Sequence, residues 1–269
     1  MTEAGVIRSG MGGFTFEPWR GTFYPEGLRQ ADELAYATRH VTSIEINGTY
    51  YSSQKPETFA KWAATAPDGF VFSLKASRFC TNRKVLAGAG DSIAKFLGQG
   101  IVELGDRLGP ILWQFMATKA FDPADFEAFL DLLPQTYEGL RLRHCVEVRH
   151  MSFFDPAFIE MCRARGVAIS LSENEGAPFI PDVTADFVYA RLMAGSEDNP
   201  ACYTPQDLDA WAGRFRTFAA GGAPDDLSAV SPKPADARPR DVFAYFIREG
   251  KTRAPLGAMA LLERLKASS

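Results

Sequence analysis

The feature that most constrains this chain is a series of eight short apolar runs, separated mostly by stretches with helical signals. The runs lie at residues 6–10, 43–47, 70–76, 110–115, 144–149, 167–172, 187–193 and 241–248. Several runs are almost continuously apolar, as expected for parallel strands that are covered on both faces. Strands that alternate with helices indicate βα units, and eight units in about 250 residues predict a closed (β/α)8 TIM barrel.

The stretches between the runs begin as helices usually do. Asp122, Asp155 and Thr204 each stand before a proline, so a capping oxygen precedes the first helical position. The alternative fold is an open doubly wound sheet, which normally has a glycine-rich phosphate turn after its first strand. Residues 10–14 contain glycines but not the G-x-G-x-x-G spacing. We therefore predict an α/β chain with a single TIM-barrel domain over residues 1–269.

Two of the predicted units are irregular. Only residues 173–186 separate the sixth and seventh runs, and they include Pro178 and Pro181, so we expect the sixth helix to be weak or absent. Residues 219–240 hold four prolines and many small side chains. Because this segment precedes the last run, it should form a flexible loop on the face opposite the usual active site.

Composition narrows the functional classes. The 29 Lys and Arg against 33 Asp and Glu leave a formal net charge of −4, which disfavours nucleic acid and anionic membranes as partners. No apolar run approaches the roughly 18 residues of a membrane span, and the N-terminus lacks the pattern of a signal peptide. The four cysteines are far apart without a C-x-x-C pair, which indicates reduced thiols. We expect a cytoplasmic monomer.

Polar residues concentrate where the predicted strands end, which is where barrels of this type bind ligands. The set is Glu45, Asn47, Lys75, Gln114, Glu147, Arg149, His150 and Arg191. Side chains two positions apart share a strand face, so Glu45 accompanies Asn47, and Glu147 accompanies Arg149. A carboxylate inside an apolar strand is costly to bury unless it is paired.

These residues suggest a mixed-charge pocket. Glu45, Lys75 and Glu147 are the candidate catalytic residues, since a glutamate can move protons and a lysine can act as a general base or a Schiff-base amine. Arg149 and Arg191 suit bidentate recognition of a carboxylate or phosphate. The alternative is a structural ion-pair network in which the lysine is only a counter-ion. The three histidines are scattered, and we expect neither a polynuclear metal site nor a cofactor.

The loop after the first run is unusually aromatic. Trp19 and Tyr24 lie in this loop, and Tyr50 follows the second run. Exposed rings in βα loops often line a ligand cleft, so we expect these three to contact substrate, whereas Phe23 is better explained as a core residue. His150 could bind substrate or cap the loop that follows it.

The chain resembles the YecE-like family, a domain of unknown function with a TIM-barrel fold. The motifs that carry the resemblance are Gly10-Met-Gly-Gly-Phe-x-x-x-x-Trp-Arg-Gly-x-Phe-Tyr-Pro, Glu45-Ile-Asn-Gly-Thr-Tyr-Tyr, Phe72-Ser-Leu-Lys-Ala, Leu108-Gly-Pro-Ile-Leu-Trp-Gln-Phe, Val146-Glu-Val-Arg-His and Thr184-Ala-Asp-Phe-Val-Tyr-Ala-Arg-Leu. They extend over nearly the whole chain. The resemblance implies the barrel but no activity.

The chain also departs from the common family pattern. Cys80-Thr-Asn, Met116-Ala, Arg191-Leu-Met-Ala and Phe246-Ile-Arg-Glu stand where the family usually has Ile-Thr-His, Pro-Pro, Arg-Leu-His-Gly and Phe-Asn-Asn-Asp. Two histidines and a pair of asparagines are therefore missing, and a role that depends on them is not expected here.

Three functions compete at this point. The first is an enzyme, a hydrolase or an isomerase or lyase, that acts on a small polar or phosphorylated substrate such as a sugar derivative or nucleotide. The second is a nucleic-acid-processing hydrolase with rings that stack on bases, which the net charge disfavours. The third is a non-catalytic ligand-binding barrel. A retaining glycosidase is less well supported, because the paired carboxylates it requires are not evident.

Overall fold

The computed structural model describes residues 4–248 and 250–266, and its centre is a closed barrel of eight parallel strands. The strands are β1 (Ile7–Gly12), β2 (Ser43–Ile46), β3 (Val71–Lys75), β4 (Leu108–Gln114), β5 (His144–Glu147), β6 (Ala168–Ser172), β7 (Phe187–Leu192) and β8 (Asp241–Phe246). Each strand pairs with its neighbours along the chain, and β8 pairs with β1. The predicted barrel is confirmed. Strand β1 ends two residues later than predicted, whereas β5 and β8 end two residues earlier.

Nine α-helices are present in the described part of the chain, most of them on the outside of the barrel. They are α1 (Glu33–Ala37), α2 (Gly48–Tyr51), α3 (Pro56–Thr65), α4 (Arg78–Thr81), α5 (Gly90–Leu97), α6 (Pro123–Asp131), α7 (Pro156–Ala164), α8 (Pro205–Ala219) and α9 (Ala254–Lys266). The predicted caps are formed: Asp155 accepts a hydrogen bond from the amide of Ala157 at 2.7 Å, and Asp122 and Thr204 cap α6 and α8 in the same way.

No helix forms between β6 and β7, because every residue from 173 to 186 is in turns or irregular backbone. The two prolines and the short connection explain this, and the predicted absence of the sixth helix is confirmed. Residues 220–240 also contain neither helix nor strand. They are held to the rest of the chain where Asp182 accepts the amides of Val230 and Ser231 at 2.7 and 2.9 Å. The high mobility of residues 219–240 stays a prediction.

The barrel interior is packed and closed at the end where the strands begin. Side chains of alternate residues, including Leu112, Cys145 and Phe187, form a cluster inside the barrel, separate from the larger core between strands and helices. Below it, the guanidinium of Arg143 lies 4.8 Å from the ring centre of Phe243. A ligand can therefore reach the interior only from the carboxyl ends of the strands. Among the described helices, none is long and apolar enough to span a membrane.

Candidate functional site

Five buried polar side chains meet where the strands end. They are Glu45 on β2, Lys75 on β3, Gln114 on β4, Glu147 on β5 and Arg191 on β7. The strand register places Glu147 opposite Gln114 on the neighbouring strand, and the period of two turns the side chains of all five toward the barrel axis. The sequence prediction thus brought together the right residues, and we call them the mouth cluster.

Arg191 is the centre of the mouth cluster. Its guanidinium contacts Glu45 in a bidentate manner, with Nε to Oε2 and Nη2 to Oε1 both at 3.0 Å. Its third nitrogen, Nη1, donates to Oε2 of Glu147. One arginine therefore joins two carboxylates from opposite sides of the barrel, 146 and 44 residues away in sequence.

Further donors complete the shells of the two carboxylates. Gln114 Nε2 and Arg149 Nε donate to Oε1 of Glu147 at 2.9 and 2.8 Å, and the hydroxyl of Tyr189 donates to Oε2 of Glu45 at 2.7 Å. Both glutamates are fully buried, whereas the Arg149 side chain is 27% exposed. Buried charges are tolerated when they are paired and hydrogen-bonded in this way.

The charged neighbours fix the ionisation of these groups. Burial by itself would raise the pKa of Glu147, but the guanidinium groups of Arg191 and Arg149 outweigh it and lower the pKa to about 2. Burial would likewise lower the pKa of Arg191, and the two carboxylates reverse this and raise it above its ordinary value. At neutral pH the glutamate is therefore a stable anion with little tendency to accept a proton.

Lys75 differs from the rest of the mouth cluster. Its side chain is 7% exposed, and within residues 4–248 and 250–266 its amine makes no hydrogen bond and no ion pair. Its Nζ atom lies 4.2 Å from the centre of the Tyr50 ring. Burial, followed by the positive charge of Arg191, lowers the pKa of Lys75 to about 8. A substantial fraction of the amine is therefore unprotonated near neutral pH.

Two more predicted residues lie beside Lys75. Tyr50 covers the amine with its ring, and its hydroxyl accepts a hydrogen bond from Asn82 at 3.1 Å. Asn47 follows β2 directly and donates to the backbone oxygen of Glu45 at 3.4 Å. Both side chains are partly exposed, so they can reach a ligand above Lys75.

The other two aromatic residues are buried, and the expectation that they are exposed is wrong. Trp19 is 0% and Tyr24 1% exposed. The Trp19 indole donates to the backbone oxygen of Lys251 at 2.8 Å, and the Tyr24 hydroxyl donates to the backbone oxygen of Phe14. Their rings pack against Phe23, which is buried as predicted. Rings that satisfy their polar atoms with backbone groups complete a core and do not line a cleft.

His150 lies just beyond the end of β5 and caps the turn that follows it. Its Nδ1 atom accepts the amide of Ser152 at 3.2 Å, so capping, one of the two roles open in the sequence, is formed. No group of three or more His, Cys, Asp or Glu side chains in the described residues is arranged to hold a metal ion.

Sequence reasoning missed the tyrosines inside the barrel. Tyr189 shares the inward face of β7 with Arg191, and Tyr245 shares a 2.6 Å hydrogen bond with each of Ser43 and Ser73. The period of two along β7 is the signal that could have identified Tyr189. Tyr245 supports the layer below the mouth cluster.

A cleft of about 580 Å³ opens beside the mouth cluster and was also missed. It begins at Ser172, the neighbour of Arg191 in the strand register, and continues over Glu173 and Trp211. Glu173 accepts hydrogen bonds from the Tyr203 hydroxyl and from the Trp211 indole, the latter at 3.2 Å. The cleft gives a ligand at the mouth room to extend over β6 and β7.

These features define a TIM-barrel protein whose mouth holds two neutralised glutamates, two arginines and one lysine without an anionic partner. Residues 8–269 match the family described as "Protein of unknown function DUF72", and the chain belongs to this family. The resemblance found in the sequence is confirmed.

Individual relatives agree with this assignment. The UPF0759 protein YecE of Escherichia coli, in strains K12 and O157:H7, is 31% identical over 144 residues, which are 52% of this chain and 49% of that protein. The match thus spans about half the length of these curated relatives. A DUF72 family structure from Thermotoga maritima MSB8 covers 97% of this chain and 99% of its own, with a TM-score of 0.70 and 22% identity.

A second DUF72 family structure, from Enterococcus faecalis V583, covers 97% of this chain and 98% of its own, with a TM-score of 0.69 and 15% identity. At such low identity these structures support the fold alone.

Proposed function

We propose that this protein is an enzyme that acts on a small anionic substrate, such as a sugar phosphate or nucleotide, at the carboxyl-end mouth of the barrel. In this proposal Lys75 exchanges protons with the substrate. The observation that carries the proposal is the position of Lys75, which lies in the mouth without an anionic partner while both neighbouring glutamates are held by arginines.

The charge balance of the mouth supports an anionic substrate. Two carboxylates face two guanidinium groups, so the ammonium form of Lys75 is an unbalanced positive charge. Arg149 uses Nε for Glu147 and is partly exposed, which leaves its other nitrogens for a carboxylate or phosphate. An anion bound there would balance the charge of Lys75.

The pKa of Lys75 supports proton transfer. An amine with a pKa of about 8 is close to the value that suits a general base near neutral pH, because both protonation states are populated. The neutral amine would take a proton from the substrate, and the resulting ammonium would return it at another atom or to the leaving group. This step is typical of isomerases and lyases.

The proposal gives the glutamates a different role from the one expected from the sequence. Glu45 and Glu147 are fully buried and have their oxygens occupied by donors from the chain. We assign them the positioning of Arg191 and Arg149, and we assign proton transfer to Lys75 alone. Tyr50 would then have to move aside, or stack on the substrate, before Lys75 can react.

The proposal is tested with a panel of sugar phosphates, nucleotides and organic acids. Binding is screened by thermal shift, since a ligand at 100 times its Kd stabilises a protein by about 2.7 kcal/mol. Each ligand that binds is then incubated with the protein in D2O, and NMR detects exchange of carbon-bound hydrogen. We expect exchange with the native protein, none with Lys75→Met, and full exchange with Lys61→Met, a matched change at an exposed helix position.

Binding without exchange or turnover would instead support the non-catalytic barrel, which the fully paired glutamates favour as the second candidate. Exchange that persists in Lys75→Met would refute the role of Lys75. Borohydride separates two modes of lysine chemistry: covalent trapping of ligand on Lys75 would indicate a Schiff base and not simple proton transfer.

A further inference from the structure

Exposed apolar side chains are concentrated on one side of the barrel mouth. Seven large hydrophobic residues are exposed in the described part of the chain, and six of them follow β2, β3, β4 or β5. These six, which we call the apolar rim, are Tyr51, Phe79, Val85, Met116, Met151 and Phe154. The seventh, Val6, lies at the opposite end of the barrel, before β1. Clustered exposed hydrophobic residues are typical of binding surfaces.

Contacts between neighbouring loops make the apolar rim a continuous surface. Tyr51 and Phe79 are opposite walls of a cleft of about 310 Å³ between the loops after β2 and β3. The amine of Lys119 donates to the backbone oxygen of Lys84 at 2.7 Å and joins the loops after β3 and β4. The hydroxyl of Ser152 accepts the amide of Phe121 at 2.8 Å and joins the loops after β4 and β5.

The same four loops are basic, although the whole chain is acidic. Segments 47–55, 76–89, 115–122 and 148–155 contain six Lys and Arg and only two Asp. Both aspartates cap helices, and Lys119 and Arg149 pair with carboxylates. In the described residues, Lys55, Arg78 and Lys84 have no carboxylate partner, so their charge is available to a binding partner.

We propose that the apolar rim is the docking surface for another protein, which presents an acidic segment with aromatic or aliphatic side chains. The exposed rings and methionines would cover its apolar side chains, and the lysines and arginines would meet its carboxylates. Aromatic residues, methionine and arginine are the types enriched in protein interfaces. The partner would cover the mouth on the side of Lys75 and leave open the cleft over β6 and β7.

Two other occupants fit less well. Three of the six residues are aliphatic or methionine, which offer no ring for a base to stack on, so single-stranded nucleic acid would use only half of the surface. A second copy of the chain could offer the acidic segments 173–180 and 193–204, which contain four Glu and Asp and no Lys or Arg. None of the exposed large hydrophobic residues lies there, so a copy would cover the apolar rim with a polar surface.

The test begins with a displayed library of random short peptides selected on the immobilised full chain. We expect the selected sequences to combine Asp or Glu with aromatic or aliphatic residues. A labelled synthetic copy of the best peptide is then titrated with native protein and variants by fluorescence anisotropy. Phe79→Ser and Phe154→Ser should each weaken binding by roughly tenfold or more, as for interface anchors.

Val6→Ser is the matched control, because it removes an exposed apolar side chain from the other end of the barrel. It should leave peptide affinity unchanged. Lys84→Glu should weaken binding and Lys61→Glu should not, and added salt should weaken binding in the native protein.

Three results would overturn the proposal. The first is a set of selected peptides without an excess of acidic residues, or with affinity unchanged in Phe79→Ser. The second is single-stranded DNA that displaces the peptide and binds more tightly than it. The third is self-association by light scattering that is lost in Phe79→Ser, which would assign the surface to a second copy. All three are independent of turnover at Lys75.

Discussion

Replacing Lys75 with methionine should make the protein more stable at pH 7 while it removes the proposed activity. Methionine has a similar length and no charge, so it suits the same buried position. The pKa of Lys75 falls from an ordinary value of 10.5 to about 8 in the folded protein, which corresponds to about 3 kcal/mol of folding free energy. The cation–π contact with Tyr50 returns about 1 kcal/mol, so we expect a net gain of about 2 kcal/mol.

The gain has a defined pH dependence. The unfolded chain binds the proton of Lys75 more tightly than the folded protein does, so the native protein bears the full cost below about pH 8. The cost decreases as the pH rises and is lost near pH 10.5, where the amine is neutral in both states. The difference in stability between Lys75→Met and native protein should therefore shrink over this interval.

Urea denaturation of both proteins between pH 7 and pH 10.5 measures this difference directly. Lys61→Met is the control and should match the native protein at every pH, because Lys61 is exposed. A Lys75→Met variant that is less stable than native at pH 7, or a gain that does not change with pH, would refute the account of a desolvated amine.

Three further predictions concern other parts of the molecule. Glu147→Gln should cost about 3 kcal/mol at pH 7 by urea denaturation, because the pKa of the carboxyl is lowered from 4.5 to about 2; this stability is complete above pH 4.5 and is lost as the pH falls through 2, so an equal cost at pH 2 would contradict it. Tyr245→Phe should cost about 1–3 kcal/mol by thermal denaturation, since it leaves the hydroxyls of Ser43 and Ser73 without that buried partner, and an unchanged Tm would disprove the bond. Limited proteolysis should cut first within residues 219–240, as judged by mass spectrometry; an earlier cut elsewhere would count against their predicted mobility.

The fold could be read from the sequence because its signals are local. Runs such as 110–115 and 167–172 are apolar on both faces, and this alone requires cover on both sides of the sheet. The capping residues Asp122 and Asp155 act within three residues of their own positions. Eight repeated βα units then leave few topologies other than the barrel.

The members of the mouth cluster could also be predicted, because strand ends and the period of two place them on the inner face. Their roles could not. Whether Glu147 is a free base or a paired anion depends on Arg191, and that contact forms only when the strands close around a common axis. The same closure gives Glu45 to Arg191 and leaves Lys75 with the Tyr50 ring as its nearest described partner.

The aromatic loop shows the limit of sequence reasoning most clearly. Trp19 and Tyr24 stand among turn residues, and nothing local distinguishes a ring that lines a cleft from one that completes a core. The distinction was made by backbone oxygens of Lys251 and Phe14, which the tertiary structure brings to their polar atoms. The sequence by itself determined the strands, the helices and the polar residues at the barrel mouth, because those depend on neighbours along the chain. Only the tertiary structure decided which charges are paired and which rings are buried, because those depend on contacts between residues far apart in sequence.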